Sequence, residues 1–124
     1  MKQPRILLVD DEEEFVQTLV ERLIFRGLDA KGATTGQEAL EYLEDQQFDV
    51  VVADLKMPSV DGPFIKRIVE ERYPGTRVLL MTGHGTLEDE IPASADYLLK
   101  PFDIETLLDR IESTGPQTRQ VDAG

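Results

Sequence analysis

Val50-Val51-Val52-Ala53-Asp54 is a run of four apolar residues that ends on a carboxylate. Such a run reads as a strand covered on both faces, the pattern of a central strand in a parallel sheet. Asp54 then stands where the strand leaves the core, with Leu55-Lys56-Met57-Pro58 as the loop that follows. A carboxylate in that place either caps a turn or takes part in ligand chemistry, which gathers at the carboxyl edge of open α/β sheets. The flanking segments decide between the two.

On the N-terminal side, Arg5-Ile6-Leu7-Leu8-Val9-Asp10 is a second apolar run ending in a carboxylate, and it reads as the first strand. Asp10-Asp11-Glu12-Glu13-Glu14 covers the loop and the first turn of a helix, where acidic groups complement the helix dipole. Phe15, Val16, Leu19, Val20, Leu23 and Ile24 recur at helical spacing through Phe25, and Gly27 stops the helix. Residues 28–33 form a weak, polar-alternating strand suited to an edge. Thr35 and Glu38 match a capping box for a second helix, which turns Ala39, Leu40 and Leu43 inward and ends near Gln46.

On the C-terminal side, Asp61-Gly62-Pro63 opens a third helix, with Pro63 at a first helical position. Its buried face is Phe64, Ile65, Ile68 and Val69, and Pro74-Gly75 ends it. Residues 77–82 are a fourth strand ending on Thr82, and Gly83-His84-Gly85 is a loop. A short fourth helix fits between Thr86 and Ile91 before Pro92 disrupts it. Residues 96–99 are a fifth strand, followed by Lys100-Pro101. Asp103 caps a fifth helix carrying Ile104, Leu107, Leu108 and Ile111 at i, i+3, i+4 and i+7. Ser113 to Gly124 is polar and aperiodic, a linker or a frayed end. The expected organisation is one folded domain over residues 1–112 and a flexible tail over 113–124.

Composition agrees with one soluble domain. The chain has 124 residues, 40% of them hydrophobic and 31% charged, enough for a single core. No apolar run reaches the length of about 18 residues that a spanning helix needs, and no signal peptide opens the chain. The absence of cysteine excludes disulfides and thiolate metal sites and fits a reducing compartment, so a cytoplasmic location is expected. A formal charge of −12, from 25 acidic and 13 basic residues, argues against nucleic-acid binding by this segment.

Alternating strands and helices imply right-handed crossovers and a parallel sheet covered on both faces. The expected fold is α/β, a flavodoxin-like (βα)5 doubly wound sheet of strand order 2-1-3-4-5 with a shortened fourth helix. Its topological switch point lies between strands 1 and 3, so Asp10 and Asp11 meet Asp54 at one sheet edge. Converging carboxylates repel one another and need a cation. Oxygen-only ligation points to a hard ion, and Mg²⁺ suits a solvent-open cluster because it keeps waters and uses few protein carboxylates. A carboxylate is also a nucleophile toward phosphorus. Such transfer relies on positioning and charge neutralisation, and the remaining strand ends supply a hydroxyl (Thr82) and an ammonium (Lys100).

Together, Val9-Asp10-Asp11-Glu12, Asp54-Leu55-Lys56-Met57-Pro58 with Asp61-Gly62, Met81-Thr82-Gly83, and Tyr97-Leu98-Leu99-Lys100-Pro101-Phe102 resemble the receiver domain of two-component response regulators. The resemblance runs from about Arg5 to Ile111. It implies that Asp54 accepts a phosphoryl group from a sensor histidine kinase or a phosphotransfer protein. It implies direct Mg²⁺ ligation by Asp11, Asp54 and the backbone carbonyl of Lys56, with Asp10 acting through water or hydrogen bonds. Lys100 would contact the phosphoryl oxygens, Thr82 would swing its hydroxyl toward them, and Tyr97 would change rotamer with Thr82. His84 and Lys56 would tune the phosphoryl lifetime, and the Lys100-Pro101 bond would be cis. The chain would signal to an output domain or a downstream protein. It would be no enzyme beyond its own phosphorylation and dephosphorylation.

From Thr82 to Lys100 is 18 positions, about one helical turn fewer than the family usually has. The fourth helix is therefore expected to be a single turn or irregular, and a dimer or output surface built on it is in doubt. Two other readings remain. A Mg²⁺-dependent phosphohydrolase of the haloacid-dehalogenase type also uses an aspartyl phosphate, but it places Asp-x-Asp after strand 1, where this chain has Asp10 and Glu12. A flavodoxin-like cofactor module would need a phosphate-binding loop after strand 1, and none is present.

Overall fold

Side chains of a strand alternate between the two faces of its sheet, and the apolar runs of this chain fill both. In the computed structural model, which describes residues 3–83, 91–92 and 95–113, β1 (Arg5–Val9) and β3 (Val50–Asp54) lie side by side at the centre. Ile6, Leu8, Val50, Val52, Leu79 and Met81 point to one face, where they pack with Leu19, Leu23, Leu107 and Ile111. Leu7, Val9, Val51, Ala53 and Leu80 point to the other and pack with Ala39, Leu43, Ile65 and Val69. The unbroken hydrophobicity of Val50–Ala53 thus serves two half-cores.

The sheet is completed by β2 (Asp29–Ala33), β4 (Arg77–Thr82) and β5 (Asp96–Leu99), all parallel, in the order β2-β1-β3-β4-β5. Helices α1 (Glu13–Phe25) and α4 (Ile104–Glu112) cover the first face, while α2 (Gly36–Asp45) and α3 (Gly62–Arg72) cover the second. This is the expected doubly wound architecture. Helix α4 is the expected fifth helix. The expected short helix between Thr86 and Ile91 lies outside the described residues except for Ile91, as do His84 and the tail beyond Ser113.

Local signals account for the helix ends. Thr35 Oγ1 accepts the Glu38 N–H at 3.0 Å, Asp61 Oδ1 that of Phe64 at 3.1 Å, and Asp103 Oδ1 that of Thr106 at 2.9 Å. Each satisfies an amide that the helix leaves without an internal partner. The reciprocal bond of the capping box differs from the expected form: Glu38 Oε1 accepts from Thr34 N–H, one residue before the cap. Pro63 takes the second position of α3, not the first, because the helix already begins at Gly62. Leu28, expected at the start of the second strand, instead closes α1. Its N–H bonds to Leu23 O and that of Gly27, at φ +88°, bonds to Ile24 O, which is a Schellman ending.

The loop between β3 and α3 is seated by two close approaches. A Cβ on Gly62 would lie 2.5 Å from the Asp54 carbonyl oxygen, and one on Gly36 would overlap the carbonyl and side chain of Val60. Ser59 in the same loop has φ +62°, a left-handed conformation that opposes its side chain. Replacing Ser59 with glycine is expected to stabilise the protein by about 0.5–1 kcal/mol. Gly36→Ala is expected to destabilise it by about 1–3 kcal/mol through overpacking. Equilibrium urea unfolding of the two variants checks both signs.

Candidate functional site

The parallel register sets the carboxylates side by side. Val9 pairs with Ala53, so the next residues, Asp10 and Asp54, stand side by side at the carboxyl ends of β1 and β3. Leu55 N–H bonds to Met81 O and Lys100 N–H to Thr82 O, which extends the pairing and carries Thr82 and Lys100 to the same edge. The described residues expected at the site, apart from Tyr97, therefore come from the carboxyl ends of β1, β3, β4 and β5 or the positions just after them.

Carboxylate oxygens of Asp10, Asp11 and Asp54 lie within 4.8 Å of one another. Asp10 is fully buried. Its Oδ1 accepts the Glu12 N–H at 3.0 Å, and its Oδ2 accepts from Lys100 Nζ at 2.6 Å. The same ammonium stands 3.7 Å from Asp54 and 3.8 Å from Glu12. Burial works to lower the proton affinity of Lys100, but the hydrogen bond to Asp10 and the charges of Asp10, Asp54 and Glu12 outweigh it, so its pKa rises. Asp54 responds in the opposite sense. Burial first, then the Asp10 charge, push its carboxyl up to about 6, against the lowering effects of Lys100 and a backbone hydrogen bond from Lys56.

Thr82 is 1% exposed, and its hydroxyl oxygen has no hydrogen-bond partner among the described residues. An orphaned buried hydroxyl costs free energy unless something completes it, which makes it a signature of a functional place at this sheet edge. Tyr97 is 40% exposed on β5, and its carbonyl accepts from Arg110 of α4 at 2.8 Å. Its strand is the outer one on this side of the sheet. The Lys100-Pro101 bond is cis, as expected.

Glu12 and Gly62, both within the motifs quoted above, gain specific contacts: Glu12 lies within reach of Lys100, and Gly62 gives the Asp54 carbonyl its space. One neighbour of the site was not legible as such. Phe15, read from sequence as part of the apolar face of α1, has its ring centroid 4.7 Å from Lys100 Nζ. Its helical spacing is that of any core residue, so nothing in the pattern marks it.

An all-oxygen cluster of this kind fits a hard divalent ion, and the orphaned Thr82 hydroxyl at the same sheet edge fits an incoming group rich in oxygen. Residues 6–112 match the family described as the response regulator receiver domain, and the chain belongs to that family. The response regulator protein FleR of Pseudomonas aeruginosa is 33% identical over 111 residues, covering 86% of this chain and 24% of FleR. The DNA-binding transcriptional regulator NtrC of Proteus hauseri is 34% identical over 117 residues, covering 90% of this chain and 24% of NtrC. The chain thus spans about a quarter of the length of these curated relatives. A response regulator receiver domain from Clostridium thermocellum superposes with a TM-score of 0.81 at 32% identity, over 89% of this chain and 92% of that one. The chain is a signalling receiver domain of the two-component type, and the phosphohydrolase reading is not favoured.

Because the folded value of Asp54, about 6, lies above the ordinary 3.8, the folded protein binds this proton more tightly than the unfolded chain does. The associated stability is complete below the ordinary value and is lost as pH rises through about 6. In metal-free protein, Asp54→Asn should therefore be about 2 kcal/mol more favourable at about pH 7.5 than at about pH 4. Urea unfolding of wild type and variant at the two pH values measures that difference, and a pH-independent difference would contradict the assignment.

Proposed function

We propose that this chain is a phosphorylation-dependent switch in which Asp54 is the phosphoacceptor. The observation that carries the reading is the Thr82 hydroxyl, buried without a partner among the described residues at the sheet edge that also bears Asp54 and Lys100. The donor is a phosphohistidine on a sensor histidine kinase or a phosphotransfer protein. An Asp54 carboxylate oxygen attacks phosphorus, the P–N bond to the donor imidazole breaks, and its electron pair stays on that nitrogen. Lys100, 3.7 Å from Asp54, moves onto a phosphoryl oxygen as negative charge gathers there. Asp10, hydrogen-bonded to Lys100 at 2.6 Å, holds the ammonium at the site and keeps it charged.

Asp11, Asp54 and the backbone carbonyl of Lys56 would hold Mg²⁺, with Asp10 contributing through water. The ion supplies charge neutralisation at the transferring phosphoryl group. The Thr82 hydroxyl then donates to a phosphoryl oxygen, which satisfies the orphaned group and favours one arrangement of the β4–β5 edge. Tyr97, half exposed on that edge, changes rotamer with it. Such a shift needs differential stabilisation of the two states by the new contacts. Hydrolysis of the aspartyl phosphate returns the switch to its first state, so the chain turns over no substrate other than its own phosphoryl group. NtrC of Proteus hauseri, named a DNA-binding transcriptional regulator and matched over about a quarter of its length, supports an output domain or a downstream protein as the reader. A cytoplasmic location follows from such a partnership.

With a small phosphodonor such as acetyl phosphate and Mg²⁺, wild-type protein should become labelled and Asp54→Asn should not. Intact mass spectrometry reads the added phosphoryl group, and undiminished labelling of the variant would overturn the assignment.

A further inference from the structure

We infer that Phe15 is a positioning residue for Lys100, holding its ammonium over the ring face so that it stays within reach of Asp54. The inference rests on the phosphoacceptor reading above. Lys100 Nζ lies 4.7 Å from the Phe15 ring centroid, inside the range in which a ring quadrupole attracts a cation. The ammonium thus has carboxylates on one part of its surface, with Asp10 at 2.6 Å and Asp54 and Glu12 at 3.7 and 3.8 Å, and a ring on another.

The ring is itself held. Phe102 meets it edge-on, with centroids 6.0 Å apart and planes at 76°. Phe102 follows Lys100 by two residues, so Phe15 grips both ends of the Lys100-Pro101-Phe102 turn from α1. The lysine stem is flexible, and its side chain is only 19% exposed. A carboxylate in the place of the ring would form a directional bond and compete with the phosphoryl group. A ring face attracts the ammonium without fixing a direction and accepts no proton. The ammonium can therefore slide from Asp10 toward a phosphoryl oxygen on Asp54 without losing that contact. An aliphatic side chain of similar size would fill the space but supply no charge-selective attraction.

The test replaces Phe15 alone with phenylalanines bearing one, two and three ring fluorines, in the full chain. Fluorine drains the negative ring face while leaving its shape nearly unchanged. The rate of Asp54 labelling by acetyl phosphate in Mg²⁺ is expected to fall progressively along the series, by about 3- to 10-fold at the third fluorine. Urea unfolding midpoints should stay level across it. Phe15→Leu should fall to the bottom of the series and Phe15→Tyr should stay near wild type. A flat or rising series, or a fall that only tracks lost stability, overturns the inference and leaves Phe15 a packing residue. Absence of labelling in the wild type would instead overturn the phosphoacceptor reading.

Discussion

One ammonium holds together a group of carboxylates that would otherwise drive the sheet edge apart. Lys100 Nζ bonds to the fully buried Asp10 and stands within 4 Å of Asp54 and Glu12, while Asp11 adds a further negative charge to the cluster. Everything else in the fold serves that convergence. The parallel register of β1 against β3 brings Asp10 beside Asp54, and the extension of β4 against β5 brings Thr82 beside Lys100. The central strands can commit their carboxyl ends to charge because both of their faces are filled with apolar side chains. Burial that stabilises the core is the same burial that raises the Asp54 carboxyl to about 6. The site is thus held in an unfavourable state by the packing around it, as functional sites often are.

Much of this was legible in the sequence because the signals are local. The run Val50–Ala53 reads as a two-faced strand from its hydrophobicity alone, and Thr35 and Asp103 read as caps from their offset to the next turn. The carboxylates could be brought together because topology needs only strand order, not coordinates. What escaped depends on contacts between distant positions or on backbone conformation. Phe15 and Lys100 are far apart in the chain, and an aromatic in an apolar stripe gives no sign of which end touches charge. Ser59 gives no hint of its left-handed conformation, because the residue type usually found there is glycine or asparagine. Leu28 looks like strand from its apolarity, yet its amide closes the helix before it.

The far edge of the sheet is tied down by a different set of charges. Arg110 reaches back from α4 to the carbonyl of Tyr97, and both Arg77 and Arg110 stand within 4 Å of Asp96. Arg77 also donates to the carbonyls of Ile111 and Arg110 at the end of α4. Burial lowers the proton affinity of Arg77, and Asp96 works against that loss. These bonds link β5, which carries Tyr97, to the last described helix. The acidic cluster and this basic clasp lie at opposite ends of β5, so the strand connects the proposed switch to the end of the domain.

In the proposed switch the carboxylate cluster is a cation site whose repulsion Lys100 offsets only in part. Its most direct test is the thermal unfolding midpoint as Mg²⁺ is titrated at constant ionic strength, in wild type and in Asp11→Asn. Asp11 is exposed and outside the core, so its replacement leaves the fold intact. A ligand that binds only the folded state adds about 1.4 kcal/mol for each tenfold excess over its dissociation constant. The wild-type midpoint should climb steadily with Mg²⁺ while that of Asp11→Asn stays nearly level. A wild-type midpoint indifferent to Mg²⁺, or an equal rise in both proteins, would contradict the account.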